Sequence, residues 1–236
     1  WGSRTYSMGI INVTPDSFSN DGILNDIQKI QNTAKLFESL GADIIDVGGE
    51  STRPPNIYGN FTPVDENEEI KRVIPAIEAI KDVVSIPISI DTYKPTVAEK
   101  SLSAGATIVN NVWATKNDAQ MNALLSEQKP VTILMHNQKS PKYNNLLDEV
   151  FYSLNHMVEN TLKLGIDTDK IIIDPGIGFG KTTNDNLNIL RNLERFKEIG
   201  NPILIGTSRK STIGNVLNEY QVEHFKIGVL VDLFRC

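Results

Sequence analysis

The sequence predicts an α/β protein of the TIM-type (β/α)8 barrel class, and three observations lead there. Seven short β-branched runs alternate with amphipathic stretches along 236 residues, as repeated β-α units on a parallel sheet do. Nearly every run ends in a polar or charged group: Asn12, Asp46, Asp91, Asn110, His136, Asp174, then Ser208-Arg209-Lys210. An open doubly wound sheet collects its site at one crevice, whereas a barrel gathers groups from most strands around one mouth. The spread of tips favours the barrel. The length suits one α/β domain, so residues 1–236 read as a single barrel domain.

Taken in order, the expected strands are Met8–Val13, Asp43–Val47, Pro87–Asp91, Thr107–Asn111, Val131–Met135, Ile171–Asp174 and Pro202–Gly206. Each is an apolar, β-branched run bounded by turn formers. Between them, apolar residues at three- and four-residue spacing predict helices over Asp26–Leu40, Glu66–Lys81, Thr96–Ser103, Ala119–Glu127, Leu146–Leu164 and Asp185–Glu198. Gly41, Gly105 and Gly165 follow three of these helices, where glycine tolerates the left-handed C′ conformation. After Gly206 come Ile213–Glu219 and a helix-like His224–Leu233. Only seven strands are counted, so the barrel is expected to be incomplete at its eighth strand.

Composition narrows the function classes. A hydrophobic share of 40% and a charged share of 22% are those of a soluble globular domain. A net charge of −6 disfavours a nucleic-acid partner. The single cysteine, Cys236, excludes a disulfide framework within the chain and points to a reducing, cytoplasmic setting. No apolar run approaches the ~20 residues of a membrane helix, so no membrane partner is expected. Residues 1–7 lack the apolar core of a signal peptide and read as an appended remnant.

Several loops carry chemistry. Met8–Val13 runs into Thr14–Gly22, a polar, glycine-ended segment with one aromatic, Phe18, longer than a turn needs. Gly176–Thr182, GIGFGKT, looks like a phosphate loop, but Pro175 and Lys181 stand where Walker A and dinucleotide fingerprints need glycine. It reads as backbone passing close to a flat ligand, against a plain flexible loop. In Gly48–Pro55, GGESTRPP, two glycines, two hydroxyls and Arg53 form a fair phosphate site; the bland reading is a rigid turn.

Asp91 and Asp174 each end an apolar strand and must find donors there. With Asn110 they suit a heterocycle displaying amino and ring N–H groups; a buried ion pair or a glycosidase pair are the alternatives. Thr207–Ser211, TSRKS, can hold phosphate, a carboxylate or a ring carbonyl. His136, His156 and His224 form no zinc-ligand spacing.

Together, MGIINVTPDSFSNDG, GADIIDVGGESTRPP, PISIDTYKPTVAEKSLSAGATIVNNV, ILMHN, IIIDPGIGFGKT and GTSRKS resemble the dihydropteroate synthase family of pterin-binding barrels. They occur in the family's order from residue 8 to about 215. The resemblance implies an enzyme of folate biosynthesis. Its reaction joins the methylene of dihydropterin pyrophosphate to the amine of p-aminobenzoate, giving dihydropteroate and pyrophosphate. It further implies that Asp174 accepts from the pterin amino and ring N–H edge, Asn110 reads another edge, Asp91 lies against the ring and Met135 packs on it. Lys210 would bind the pterin and border the p-aminobenzoate site, which Phe18, Pro54, Phe179 and Ser211 would line. Asn12 would stand at the Mg²⁺–pyrophosphate end with Thr52 and Arg53.

An arylamine is a weak nucleophile, so stabilising the leaving diphosphate and the positive charge on the methylene matters most; Arg53 with Mg²⁺ and Asp91 answer those needs. The Thr14–Gly22 segment is expected to act as a lid. The family's pyrophosphate-binding Arg-x-His motif does not occur in the sequence, so slow turnover is expected. The family's habit of pairing implies a homodimer for the full-length protein. Two rivals remain: a methyltetrahydrofolate-type methyltransferase, which shares the Asp-Asn-Asp pocket, and a shortened, non-catalytic pterin-binding barrel.

Overall fold

Six of the seven expected strands form, each within two residues of its expected start. The computed structural model describes residues 4–13, 23–50, 64–114, 118–208, 210–217 and 229–231. Two compact units are distinguished: Met8–Asn111, and Val112–Cys236 together with Trp1–Ser7.

In the first unit, β1 (Tyr6–Asn12), β2 (Ile44–Gly48), β3 (Ile88–Asp91) and β4 (Ile108–Asn111) pair in parallel in chain order. β1 begins at Tyr6, two residues before Met8. Ile44, Ile45, Val47, Ile90 and Val109 are buried, as expected of parallel strands covered on both faces. Among the described residues, three helices alternate with these strands: α1 (Ile23–Ser39), α2 (Glu66–Lys81) and α3 (Pro95–Ala104). Asp65 caps α2 by accepting from Asn67 N at 2.9 Å, and Val73, Ala76, Ile77 and Ile80 form its buried stripe, at the spacing of one helix face. Pro95 opens α3, where a missing N–H is tolerated.

In the second unit, α4 (Ala119–Gln128) precedes β5 (Val131–Met135), and α5 (Leu146–Lys163) lies between β5 and β6 (Ile171–Asp174), which pair in parallel. Asp118 and Asn145 cap α4 and α5. After β6 come α6 (Thr183–Arg191), α7 (Glu194–Lys197), α8 (Ser211–Leu217) and β7 (Val229–Val231). A capping box opens α6: Thr182 Oγ1 accepts from Asp185 N at 3.1 Å while Asp185 Oδ2 accepts from Thr182 N at 2.8 Å. The expected C′ glycines Gly41, Gly105 and Gly165 have φ of 89°, 127° and 83°.

Three expectations are corrected. Pro202–Gly206 is not a regular strand; it contributes one parallel bridge, Ile173↔Ile203, closed by Ile173 N to Pro202 O and Leu204 N to Ile173 O. Pro202 has no N–H to extend that ladder. The helix expected over Asp185–Glu198 is two helices, broken where Asn192 turns its side chain back onto the Asn188 carbonyl at 2.8 Å. Within the helix-like His224–Leu233, Val229–Val231 is a strand, in keeping with two β-branched residues in three; its neighbours lie outside the described residues. Among the described residues, no helix is long and apolar enough to cross a membrane.

Candidate active site

Parallel register brings four strand tips of the first unit into one row. Asn12 pairs with Gly48, Gly48 with Asp91, and Asp91 with Asn110. Since alternate residues face opposite sides of a sheet, this row shares a face with the layer beneath it, Asp46 and Ser89. A Cβ on Gly48 would lie 3.1 Å from Asn12 Oδ1 and 3.8 Å from Asp91 Oδ2. The bare glycine therefore keeps these two polar tips uncovered. Asp46 is 4% exposed, and its Oδ2 accepts from Asn110 Nδ2 at 3.3 Å. Burial pushes the Asp46 carboxyl up to about 6, against the opposing pull of the Ser89 hydroxyl and the Asn110 amide. Ser89 Oγ favours the ionised form by proximity, although it lies outside hydrogen-bond geometry.

Beyond this row, a partly buried ionic cluster ties the flanks of residues 51–63. Lys94 Nζ reaches Glu50 Oε2 at 2.6 Å, Glu69 Oε2 at 2.5 Å and the Val64 carbonyl at 2.7 Å. Burial disfavours the Lys94 ammonium, but the two carboxylates outweigh it and raise its pKa. Gly49 O accepts from Arg72 Nη1 at 3.1 Å.

In the second unit, Met135 and Asp174 are register partners at the tips of β5 and β6. Asp174 is 6% exposed, and its Oδ1 accepts from Gly176 N at 2.7 Å. Burial raises the Asp174 pKa, opposed by the positive charges of Lys210 and Lys181 and by that N–H. The loop after β6 is close-packed backbone: a Cβ on Gly176, at φ 72°, would lie 1.9 Å from the His136 carbonyl oxygen, so only glycine fits. Lys210 Nζ donates to the Ile177 carbonyl and lies 4.7 Å from the centre of the Phe179 ring. Gly178 N donates to Asn186 Oδ1, and Asn186 Nδ2 to Thr212 Oγ1, which links the loop to α8. A carboxylate and an ammonium beside an aromatic ring can grip a flat, polar-edged ligand.

Comparison with known proteins assigns the family. A model described as pterin binding enzyme matches residues 8–232. Dihydropteroate synthase of Clostridium beijerinckii is 49% identical over 92% of this chain and 79% of its own length; that of Bacillus subtilis is 45% identical over 91% and 74%. The chain belongs to the dihydropteroate synthase family.

Dihydropteroate synthase from Clostridium difficile, crystallised in the presence of pteroic acid, superposes with a TM-score of 0.86 at 45% identity, over 92% of this chain and 81% of that one. The Xanthomonas albilineans enzyme in complex with 7,8-dihydropteroate gives 0.83 at 35% identity, over 94% and 79%. The fold class is thus that of the dihydropteroate synthase barrel, and the chain is a transferase of folate biosynthesis. The methyltransferase reading falls away.

Of the residues expected at a dihydropteroate synthase site, Asn12, Asp91 and Asn110 share the first row. Met135, Asp174, Phe179, Lys210 and Ser211 lie together in the second unit, Ser211 as the first residue of α8. Phe18, Thr52, Arg53 and Pro54 lie outside the described residues, as does the Thr14–Gly22 segment expected to act as a lid. Two contributors escaped the sequence reading of site residues. Asp46 appeared only as one polar strand tip among several, and Lys181 only as a mismatch to a glycine motif. Lys181 Nζ in fact bonds His136 Nδ1 at 2.9 Å and the Gly176 and Phe179 carbonyls at 3.0 Å each. Holding the backbone of this loop together is a role that no local motif announces.

Proposed function

We propose that this chain condenses dihydropterin pyrophosphate with p-aminobenzoate through the residues expected from its sequence. The observation that carries the reading is Asp174: a buried carboxylate held by a backbone N–H at a strand tip, in the field of Lys210. Such a group calls for further donors, and the amino and ring N–H edge of a pterin supplies them. Asn110 reads a second edge, Asp91 lies against the ring and Met135, 2% exposed, provides an apolar floor. Lys210 spans the pterin and p-aminobenzoate subsites, with Phe179, Ser211, Phe18 and Pro54 around the second substrate. Thr52 and Arg53 hold the diphosphate. Positive charge appearing on the pterin methylene as pyrophosphate departs is balanced by the Asp91 carboxylate. The attacking arylamine needs no strong base, because its protonated product is acidic.

Magnesium fits the donor set at Asn12. The described residues hold no cluster of three or more His, Cys, Asp or Glu able to cage an ion, but Mg²⁺ is commonly held by one or two protein oxygens plus water and substrate phosphates. The Asn12 side-chain oxygen, uncovered opposite Gly48, is such a ligand. Bound there, Mg²⁺ would neutralise the leaving diphosphate.

The family match over residues 8–232 supports treating residues 1–236 as one pterin-binding domain. A cytoplasmic location and a homodimer complete the proposal. The Yersinia pestis dihydropteroate synthase forms a sulfonamide drug complex, and competition by sulfonamides with p-aminobenzoate is proposed for this chain too.

The test pairs calorimetry of dihydropterin pyrophosphate and Mg²⁺ with a pyrophosphate-release assay. Asp174→Ala should abolish detectable pterin binding and turnover together. A variant that binds pterin like the parent would remove the assignment. Binding without pyrophosphate release in the parent would favour a non-catalytic pterin-binding barrel.

A further inference from the structure

We infer that Asp46 is a positioning residue that locks the Asn110 side-chain amide for pterin binding, an inference resting on the role given to Asn110 above. Asp46 lies one layer beneath the row of strand tips, in register with Ile10 and Ser89. One carboxylate oxygen, Oδ2, takes an N–H of Asn110. The other, Oδ1, is buried and accepts no hydrogen bond among the described residues; neither does the buried Ser89 hydroxyl take part in one. For stability alone this is a poor arrangement, since a buried carboxylate with an unmatched oxygen is worse than an apolar side chain of similar size.

What Asp46 supplies is an acceptor and nothing else. An asparagine amide can turn by 180° and exchange its donor and acceptor ends. Against a carboxylate only one orientation works: the NH₂ group must face Asp46. The second N–H and the carbonyl oxygen of Asn110 are then left as a fixed donor–acceptor pair for a ligand edge. Fixing that pair before the ligand arrives removes an ordering cost from binding. Burial raises the Asp46 pKa only to about 6, so the acceptor-only form dominates at neutral pH.

The experiment is calorimetry of dihydropterin pyrophosphate, with Mg²⁺ present, against the parent, Asp46→Asn, Asn110→Ala and the double variant, with melting temperatures alongside. Asp46→Asn keeps volume but offers Asn110 a partner in either orientation. Its affinity should fall on the order of tenfold, the size of one hydrogen bond to a charged group, while its melting temperature holds or rises. On the Asn110→Ala background the same change should add nothing. Asp46→Leu, which removes the acceptor outright, should match or exceed the loss. The inference is overturned if Asp46→Asn binds like the parent, if its loss recurs undiminished without Asn110, or if affinity falls only in step with melting temperature. Should Asn110→Ala itself bind as tightly as the parent, the role of Asn110 fails and this inference with it. A weakened Asn110→Ala beside a silent Asp46→Asn rejects the inference alone.

Discussion

Lys181 Nζ bonds His136 Nδ1 and donates to the Gly176 and Phe179 carbonyls, with a longer contact to the His136 carbonyl at 3.4 Å. Burial pushes the Lys181 pKa down to about 7; below that pH Lys181 is an ammonium that only donates, so His136 Nδ1 accepts and the imidazole proton sits on Nε2. Burial, then the Lys181 charge, lowers the His136 pKa from 6.5 to about 3. The sign of the linkage follows. As pH falls below 6.5 the unfolded chain takes up a proton that the folded chain refuses, so stability present above that pH is lost progressively toward 3. The melting temperature of the parent should therefore drop more steeply between pH 7 and 4 than that of His136→Gln, and parallel curves would refute the assignment. Residues of this kind mark the limit of sequence reading. Asn12, Asp91, Asn110 and Asp174 could be named as candidates because a polar residue closing a β-branched run stands out along the chain. Asp46 and Lys181 matter through cross-strand register and loop folding, which bring together positions 64 and 45 residues apart.

Between elements, the equivalent device is Lys94, the residue just before α3, which joins Glu50 after β2 to Glu69 in the first turn of α2. Glu69 is 1% exposed. Removing the cation from such a pair leaves a charge buried without compensation, a loss of about 3–5 kcal/mol. Lys94→Met should lower the melting temperature by roughly 6–20 °C at the ~2–4 °C per kcal/mol of a chain this size. Replacing Glu69 by Leu as well should recover part of the loss, because an apolar pair carries no desolvation penalty. A single variant as stable as the parent would mean the cluster is solvated. Element boundaries were legible where propensity and caps agree, as in α2, β5 and β6. They were not at Asn192 or Pro202, where a side-chain hydrogen bond or a missing N–H interrupts a sound apolar pattern, nor in Val229–Val231, where a short run offers no period to read.

For the molecule as a whole, burial raises the pKa of Asp174 against the pull of Lys210, the Gly176 N–H and Lys181, and donors on a pterin edge would favour its ionised form further. Any ligand that binds only the folded chain stabilises it by mass action, by ~2.7 kcal/mol at a hundred times its dissociation constant. For this size that is a rise of roughly 5–11 °C. Dihydropterin pyrophosphate with Mg²⁺ should produce such a shift in the parent and none in Asp174→Ala. Lys94→Met makes the informative contrast. If its cluster serves the fold and not the pterin, its melting temperature starts lower yet rises by the same increment at matched saturation. A Lys94→Met protein that no longer responds to pterin would place the ionic cluster within the pterin site, and a parent that shows no shift would deny the chain a pterin site altogether.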